Sequence, residues 1–286
     1  MATRLILLDV GGSYIKCADG RKIPVPSKGT REGIAAALRK ACFAGDPSAS
    51  LGMTGGAPSA QMGMTEGIGI AIPGPFDYRE GIFMMKHKYA AVYGERFADL
   101  AGISRRTPVK YMHDVNAPLA GSLRMLGLRN AALVTLGTGL GFSYALDGKV
   151  LENAAGSPAL SLWNQPWKDG ILEDWASARG ISSAYTRKSG QPCHSAYDVA
   201  KRAEAGDLDA LEVYSDVGAI LGQALQPLLE QLGIRTLLMG GQISKSLNLM
   251  IRPIQNALEG VDIAPAPEDA VFAGLRSLFE NQPNNP

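Results

Sequence analysis

The stretch Leu5–Lys16, Leu-Ile-Leu-Leu-Asp-Val-Gly-Gly-Ser-Tyr-Ile-Lys, recurs in altered form far downstream as Leu133–Gly148. In each copy an apolar run of strand length, Leu5–Leu8 or Leu133–Leu136, meets a Gly-rich turn and then a second strand-like segment. The turns carry Gly11, Gly12 and Ser13 in one case and Gly137, Thr138, Gly139 and Gly141 in the other. Asp19-Gly20 and Asp147-Gly148 close the two copies with a hairpin signal. Glycine has no side chain, so successive backbone N–H groups can converge on an anion, and the hydroxyls of Ser13 and Thr138 add donors. Two such hairpins facing each other are expected to hold one polyphosphate.

Simpler phosphate motifs do not fit the context. A Walker loop ends in Gly-Lys-Ser/Thr and opens a helix, and neither hairpin does so. A dinucleotide fingerprint also opens a helix, whereas Phe142-Ser143-Tyr144-Ala145-Leu146 alternates like a strand. Two ordinary Gly-rich hairpins are the plain alternative.

With 286 residues and 46% hydrophobic content, the chain is long enough for one large or two modest cores. Its 28 basic and 27 acidic residues leave a net charge of +1 without a long run of one sign, which argues against a nucleic-acid or membrane partner. Cys17, Cys42 and Cys193 are scattered and odd in number, so no disulfide framework or Cys-x-x-Cys site is expected, and a reducing cytoplasm is the default. No apolar stretch approaches the ~18 residues of a membrane span.

Along the chain, Lys22–Pro26 reads as an edge strand and Thr30 caps a helix over Arg31–Ala44. Gly45–Gly67 reads as a long loop, and Gly67–Ile72 as a buried strand ending in the turn Pro73-Gly74-Pro75. In open α/β sheets ligands bind at that end of a strand. A short helix is expected near Glu95–Leu100. Val109–Asp114 is a strand running into a helix over Ala117–Leu126. Asp114, at the junction, has two readings: an N-cap, or a carboxylate that takes the proton from an attacking hydroxyl. Asn116 either orients this loop or starts the helix. Trp163 and Trp167 read as core aromatics, and Cys193-His194 lacks companions for a metal site. Helices are predicted over Ile171–Arg179, Leu208–Leu232 with a kink at Pro227, and Glu268–Phe279; strand Thr236–Met239 leads through Gly240-Gly241 into another helix.

In these motifs the chain resembles the ROK family of sugar kinases, within the α/β, two-lobed, ribonuclease-H-like (actin/hexokinase-type) ATPase fold. Asp9–Lys16 and Leu136–Gly141 are similar to its two phosphate motifs, Ile70–Pro75 to its substrate turn, His113–Ala117 to its catalytic segment, and Leu238–Ser244 to its adenosine motif. The resemblance implies a small lobe of residues 1–116 plus about 268–286, a large lobe of 117–267, and ATP with Mg²⁺ between them. It implies Asp114 as general base and Asp9 near the Mg²⁺. Gly11, Gly12, Ser13, Lys16, Gly137, Thr138, Gly139, Gly141, Gly240 and Gly241 would hold the nucleotide. Pro73, Gly74, His113, Asp114 and Glu173 would hold a small sugar-like acceptor, and a homodimer is expected.

The departures are as informative. His113 stands where the family has Asn, Gly156-Ser-Pro-Ala-Leu160 lacks the family's sugar-binding Glu and His, and the zinc cluster is missing. Ser157 and Leu160 therefore leave glucose hydroxyls without partners, at about 1–3 kcal/mol for each buried group. The expectation is an ATP-dependent kinase for an altered acceptor, such as a less hydroxylated or N-acylated sugar. The alternative is a catalytically idle nucleotide- or sugar-binding sensor or scaffold.

Overall fold

A computed structural model describes residues 4–43 and 65–280. In chain order its elements begin with β1 Arg4–Val10, β2 Tyr14–Cys17, β3 Lys22–Pro24, α1 Arg31–Phe43, β4 Thr65–Ile72, β5 Phe76–Asp77, β6 Ile82–Phe83, α2 Phe97–Ala101, β7 Val109–His113 and α3 Asn116–Leu126. There follow β8 Ala131–Leu136, β9 Leu140–Leu146, β10 Lys149–Val150, β11 Pro166–Trp167, β12 Gly170–Ile171 and the helices α4 Leu172–Trp175, α5 Ala178–Ser189, α6 Ala196–Glu204 and α7 Leu208–Leu232. β13 Thr236–Gly240, α8 Ile251–Ala257, β14 Asp262–Pro265 and α9 Ala270–Ser277 complete the chain. The loop expected over Gly45–Gly67 lies outside the described residues except for Thr65, Glu66 and Gly67, which are already strand.

The chain forms two compact units, one of Met1–Gly121, Glu152–Ser157 and Asp269–Pro286, the other of Ser122–Leu151 and Pro158–Glu268. Each contains one five-stranded sheet, ordered β3-β2-β1-β4-β7 in the first and β10-β9-β8-β13-β14 in the second. In both, the first three strands form an antiparallel meander and the last two continue in parallel. The repeat read in the sequence is thus a repeat of topology, with each Gly-rich turn joining corresponding strands. Of the two Asp-Gly turns, Asp147 and Gly148 both have positive φ, whereas at Asp19-Gly20 only the glycine does.

In the first unit the isoleucines of β4 face α1 and an aromatic group that includes Phe76, Phe83 and Phe97, while Leu7, Ala71, Ala117 and Leu275 form a smaller core on the other side. Three glycines set how closely the chain from α9 onward docks. A Cβ on Gly67 would lie 2.2 Å from Phe279 Cε1, so the strand is bare where that ring rests. A Cβ on Gly121 would lie 1.7 Å from the Ala270 carbonyl, and one on Gly274 would lie 2.0 Å from that of Ala117, so α3 and α9 meet backbone to backbone.

In the second unit α7 runs unbroken over Leu208–Leu232. Asp207 caps its start by accepting the Ala210 N–H at 3.1 Å, and Gly233, at φ 64°, ends it. Val213, Val217, Leu221 and Leu225 bury its inner face. Three expectations are corrected here. The helix predicted over Ile171–Arg179 is two, because Ser177 caps a new helix by accepting the Gly180 N–H at 3.2 Å. The turn after β13 opens a 3₁₀ segment, Ile243–Leu249, and not an α-helix. Trp163 is 47% exposed rather than core, while Trp167 packs partly buried against the core.

Candidate active site

Three parallel strands of the first unit end level with one another. Asp9 of β1 pairs with Ala71 of β4, Ile72 pairs with His113 of β7, and Asp114 N–H donates to Ile72 O at 3.2 Å. Their carboxyl ends therefore present Asp9 with its hairpin, the Pro73-Gly74-Pro75 turn, and His113-Asp114 along one edge.

The turn Gly11–Ser13 is held from behind. Gly11 N–H donates to Tyr14 O at 2.9 Å; Gly11 O accepts the Tyr89 hydroxyl at 2.6 Å; Gly12 O accepts the Ser27 hydroxyl; Ser13 O accepts the Val25 N–H at 2.9 Å. With every carbonyl engaged, the N–H groups of Gly12 and Ser13 have no acceptor among the described residues, which is the arrangement an anion requires.

Asp9 is flanked by Lys16 Nζ at 3.1 Å. Burial raises its pKa, and Lys16 only partly offsets that, with the charge of Asp114 adding to the rise. A desolvated carboxylate of this kind gains from a further cation, so its chemistry fits a hydrated Mg²⁺ carried by phosphate.

Asp114 precedes α3 by two residues, and its carboxylate accepts no backbone N–H of that helix among the described residues, so it is not the cap. Its Oδ1 lies 3.0 Å from His113 Nδ1. That nitrogen also lies 3.2 Å from the Val115 N, so the ring sits between the Asp114 carboxylate and the backbone that leads into α3.

A carboxylate with no sequence signal completes this group. The fully buried Asn116 donates from Nδ2 to Glu152 Oε1 at 2.9 Å. Burial raises the pKa of Glu152, while the Asn116 bond and His113 act to lower it. The segment Glu152–Ser157 leaves the second unit's chain to dock here. Gly156, at φ +79°, abuts the Tyr78 ring, and the Tyr78 hydroxyl donates to Ile72 O at 3.0 Å. Burial raises the Tyr78 pKa first, and the charges of Asp114 and Glu152 raise it further, as expected if all three share one neighbourhood.

The second unit holds its own group. Gly137 N–H donates to Gly139 O at 3.0 Å, and Gly137 O accepts the Ala178 N–H at 2.9 Å. Leu140 N–H is taken at 2.9 Å by Glu173 Oε2, leaving the N–H groups of Thr138 and Gly139 without an acceptor among the described residues. A Cβ on Gly139 would lie 2.6 Å from that same oxygen, so a larger residue there would have to displace the Glu173 carboxylate. Gly141 lies within β9, opposite Thr135, and does not line the turn. Gly240 pairs with Thr135, and Gly241, at φ +84°, presses its backbone on Leu136, where a Cβ would lie 2.2 Å from the carbonyl oxygen. Gly137–Gly139, Gly240, Gly241 and Glu173 are thus brought together. Among the described residues no three His, Cys, Asp or Glu side chains gather as a metal-ligand group, Cys193-His194 included.

No protein-family model matches the chain. It is 26% identical over 235 residues to a glucokinase of Halalkalibacterium halodurans, covering 72% of this chain and 70% of that protein. Its fold matches a ROK family glucokinase from Streptomyces griseus, solved in complex with glucose and AMPPNP, with a TM-score of 0.72 at 19% identity over 96% of this chain and 98% of that one. It also matches a ROK family transcriptional regulator, a homologue of the E. coli MLC protein, with a TM-score of 0.71 at 19% identity over 96% of this chain and 80% of that one. The chain shares the two-lobed ATPase fold of the ROK family structures it matches, and its sequence is similar to that of a glucokinase.

Proposed function

We propose that this protein is an ATP-dependent phosphotransferase that acts on a hydroxyl of a sugar or sugar-like small molecule. The observation that carries this reading is the alignment of Asp9, two acceptor-free amides and a non-capping Asp114 at the level ends of β1, β4 and β7. Phosphoryl transfer asks little covalent chemistry of a protein; it asks for positioning and charge neutralisation. Gly12 and Ser13 N–H bind phosphate oxygens, Thr138 and Gly139 N–H do the same in the second unit, and the turn at Gly240-Gly241 receives the nucleoside. Asp9 would hold a Mg²⁺ ion carried with the polyphosphate, and the ion, when bound, would offset phosphate charge. Asp114 accepts the proton of the acceptor hydroxyl, and His113 Nδ1, 3.0 Å away, is placed to share it.

The acceptor rests on Pro73, Gly74, His113 and Glu152, with Glu173 completing the set as the resemblance implies. Glu152 supplies a carboxylate where the family's usual one is missing. The enzyme is a cytoplasmic homodimer on this reading, and a sedimentation mass equal to one chain would remove the dimer. No helix among the described residues is long and apolar enough to cross a membrane.

The test is ADP release from Mg-ATP across a panel of hexoses, amino sugars, N-acyl sugars and small polyols. Turnover with at least one acceptor is expected, with glucose a poor one. Nucleotide binding without turnover on any acceptor would favour the idle binding protein.

A further inference from the structure

Beside the first hairpin lies a cation that the roles above do not use. A Cβ on Gly12 would sit 3.4 Å from both Cδ and Cε of Lys88 and 3.6 Å from its Nζ, so the lysine stem lies along the bare face of the turn. Among the described residues no carboxylate or carbonyl pairs with its ammonium. The neighbouring cations are engaged: Lys86 lies 5.4 Å from the Tyr93 ring centroid, and Lys16 bonds Asp9. A partly buried lysine whose ammonium has no partner among the described residues thus lies against amides without acceptors, donors that an anion would satisfy together.

The backbone next to Lys88 is held at a cost. Tyr89 has φ 56°, a left-handed conformation unusual for a bulky residue. It is kept there by complete burial, by its N–H donating to Ser27 O at 2.6 Å, and by its hydroxyl donating to Gly11 O at 2.6 Å. Ser27 in turn bonds Gly12 O. The residue that fixes where Lys88 leaves the chain therefore also fixes the hairpin over which Lys88 lies. Strain maintained by several bonds at one place marks a geometry that the protein uses.

We propose that Lys88 is a phosphate-binding catalytic residue, whose ammonium acts with the Gly12 and Ser13 N–H groups to hold the phosphoryl group being transferred. This rests on the kinase reading. The hairpin shares its unit with Asp114, so the phosphate it holds is the one that must meet the acceptor hydroxyl. In the transfer, the bond from the terminal phosphorus to the bridging oxygen breaks and its electron pair stays on the ADP oxygen. A bond forms from phosphorus to the acceptor oxygen, and the hydroxyl proton passes to Asp114. Lys88 stays protonated, offsetting charge on the non-bridging oxygens throughout.

The experiment compares wild type, Lys88→Met and Lys88→Arg by calorimetric binding of AMPPNP and of ADP, each with Mg²⁺, and by turnover. Because ADP lacks the terminal phosphate, K88M is expected to lose about tenfold or more in AMPPNP affinity while ADP affinity stays within about twofold. Its kcat is expected to fall about a hundredfold. K88R, which keeps the charge, should recover most of the AMPPNP affinity. Equal AMPPNP binding and turnover in K88M and wild type would overturn the proposal. A Lys88-dependent preference for AMPPNP over ADP without turnover on any acceptor would support the phosphate site and refute the kinase reading. Wild type that binds neither nucleotide would refute both.

Discussion

Asn116 Nδ2 donates to Glu152 Oε1 at 2.9 Å, tying the returning segment Glu152–Ser157 to the first turn of α3, two residues beyond Asp114. Asn116 is fully buried, so the bond holds Glu152 Oε1, and on the proposed kinase reading Oε2 is left for an acceptor hydroxyl. Glu152→Gln keeps the volume and loses the charge. It is expected to raise KM for the acceptor about tenfold and leave ADP affinity within about twofold. An unchanged KM for every acceptor would take Glu152 out of recognition.

Burial of the Asp9 carboxylate costs the fold stability at neutral pH. Its folded-state pKa is raised by burial, so its contribution to stability is complete below about pH 4, where the unfolded carboxyl is still protonated. That contribution is lost as pH rises through the higher folded value. Without nucleotide or Mg²⁺, Asp9→Asn should therefore melt above wild type at pH 8, with the difference closing as pH falls toward 4. The same variant should bind Mg-ATP more weakly. A lower melting temperature for D9N at pH 8 would contradict the sign.

Gly121 and Gly274 allow α9 to lie on α3, the helix that follows Asp114. Either Gly→Ala change puts a methyl group within 2.0 Å of a main-chain carbonyl oxygen. Backbone cannot yield as a side chain does, so each is expected to cost about 1–3 kcal/mol or more, read as a lower midpoint in urea. Midpoints equal to wild type would mean that the two helices separate freely.

Much of this was legible in the sequence, and the exceptions share a cause. The hairpins, the strand ends at Asp9, Pro73 and Asp114, and the span of α7 are local patterns, readable from alternation, glycine placement and caps. Glu152 meets Asn116 across 36 residues, and the Tyr89 hydroxyl meets Gly11 across 78. Nothing local distinguishes Glu152 from any loop acid, or announces that Tyr89 is left-handed. The break at Ser177 was readable, because Ser is a strong cap, but the stretch Ile171–Arg179 reads as one helix. Trp163 was assigned to the core from size alone, which says nothing of which face a loop presents.

The central claim is that Asp114 takes the proton from an acceptor hydroxyl that attacks a phosphate held at the first hairpin. The most direct test follows the phosphorus of Mg-ATP by ³¹P NMR, with the best acceptor of the panel, in wild type and Asp114→Asn. A phosphomonoester of the acceptor should appear mole for mole with ADP in wild type. In D114N it should be slower by about three orders of magnitude or more, with nucleotide affinity unchanged. Undiminished phosphomonoester formation in D114N, or bound ATP whose phosphate reaches only water in wild type, would contradict the account.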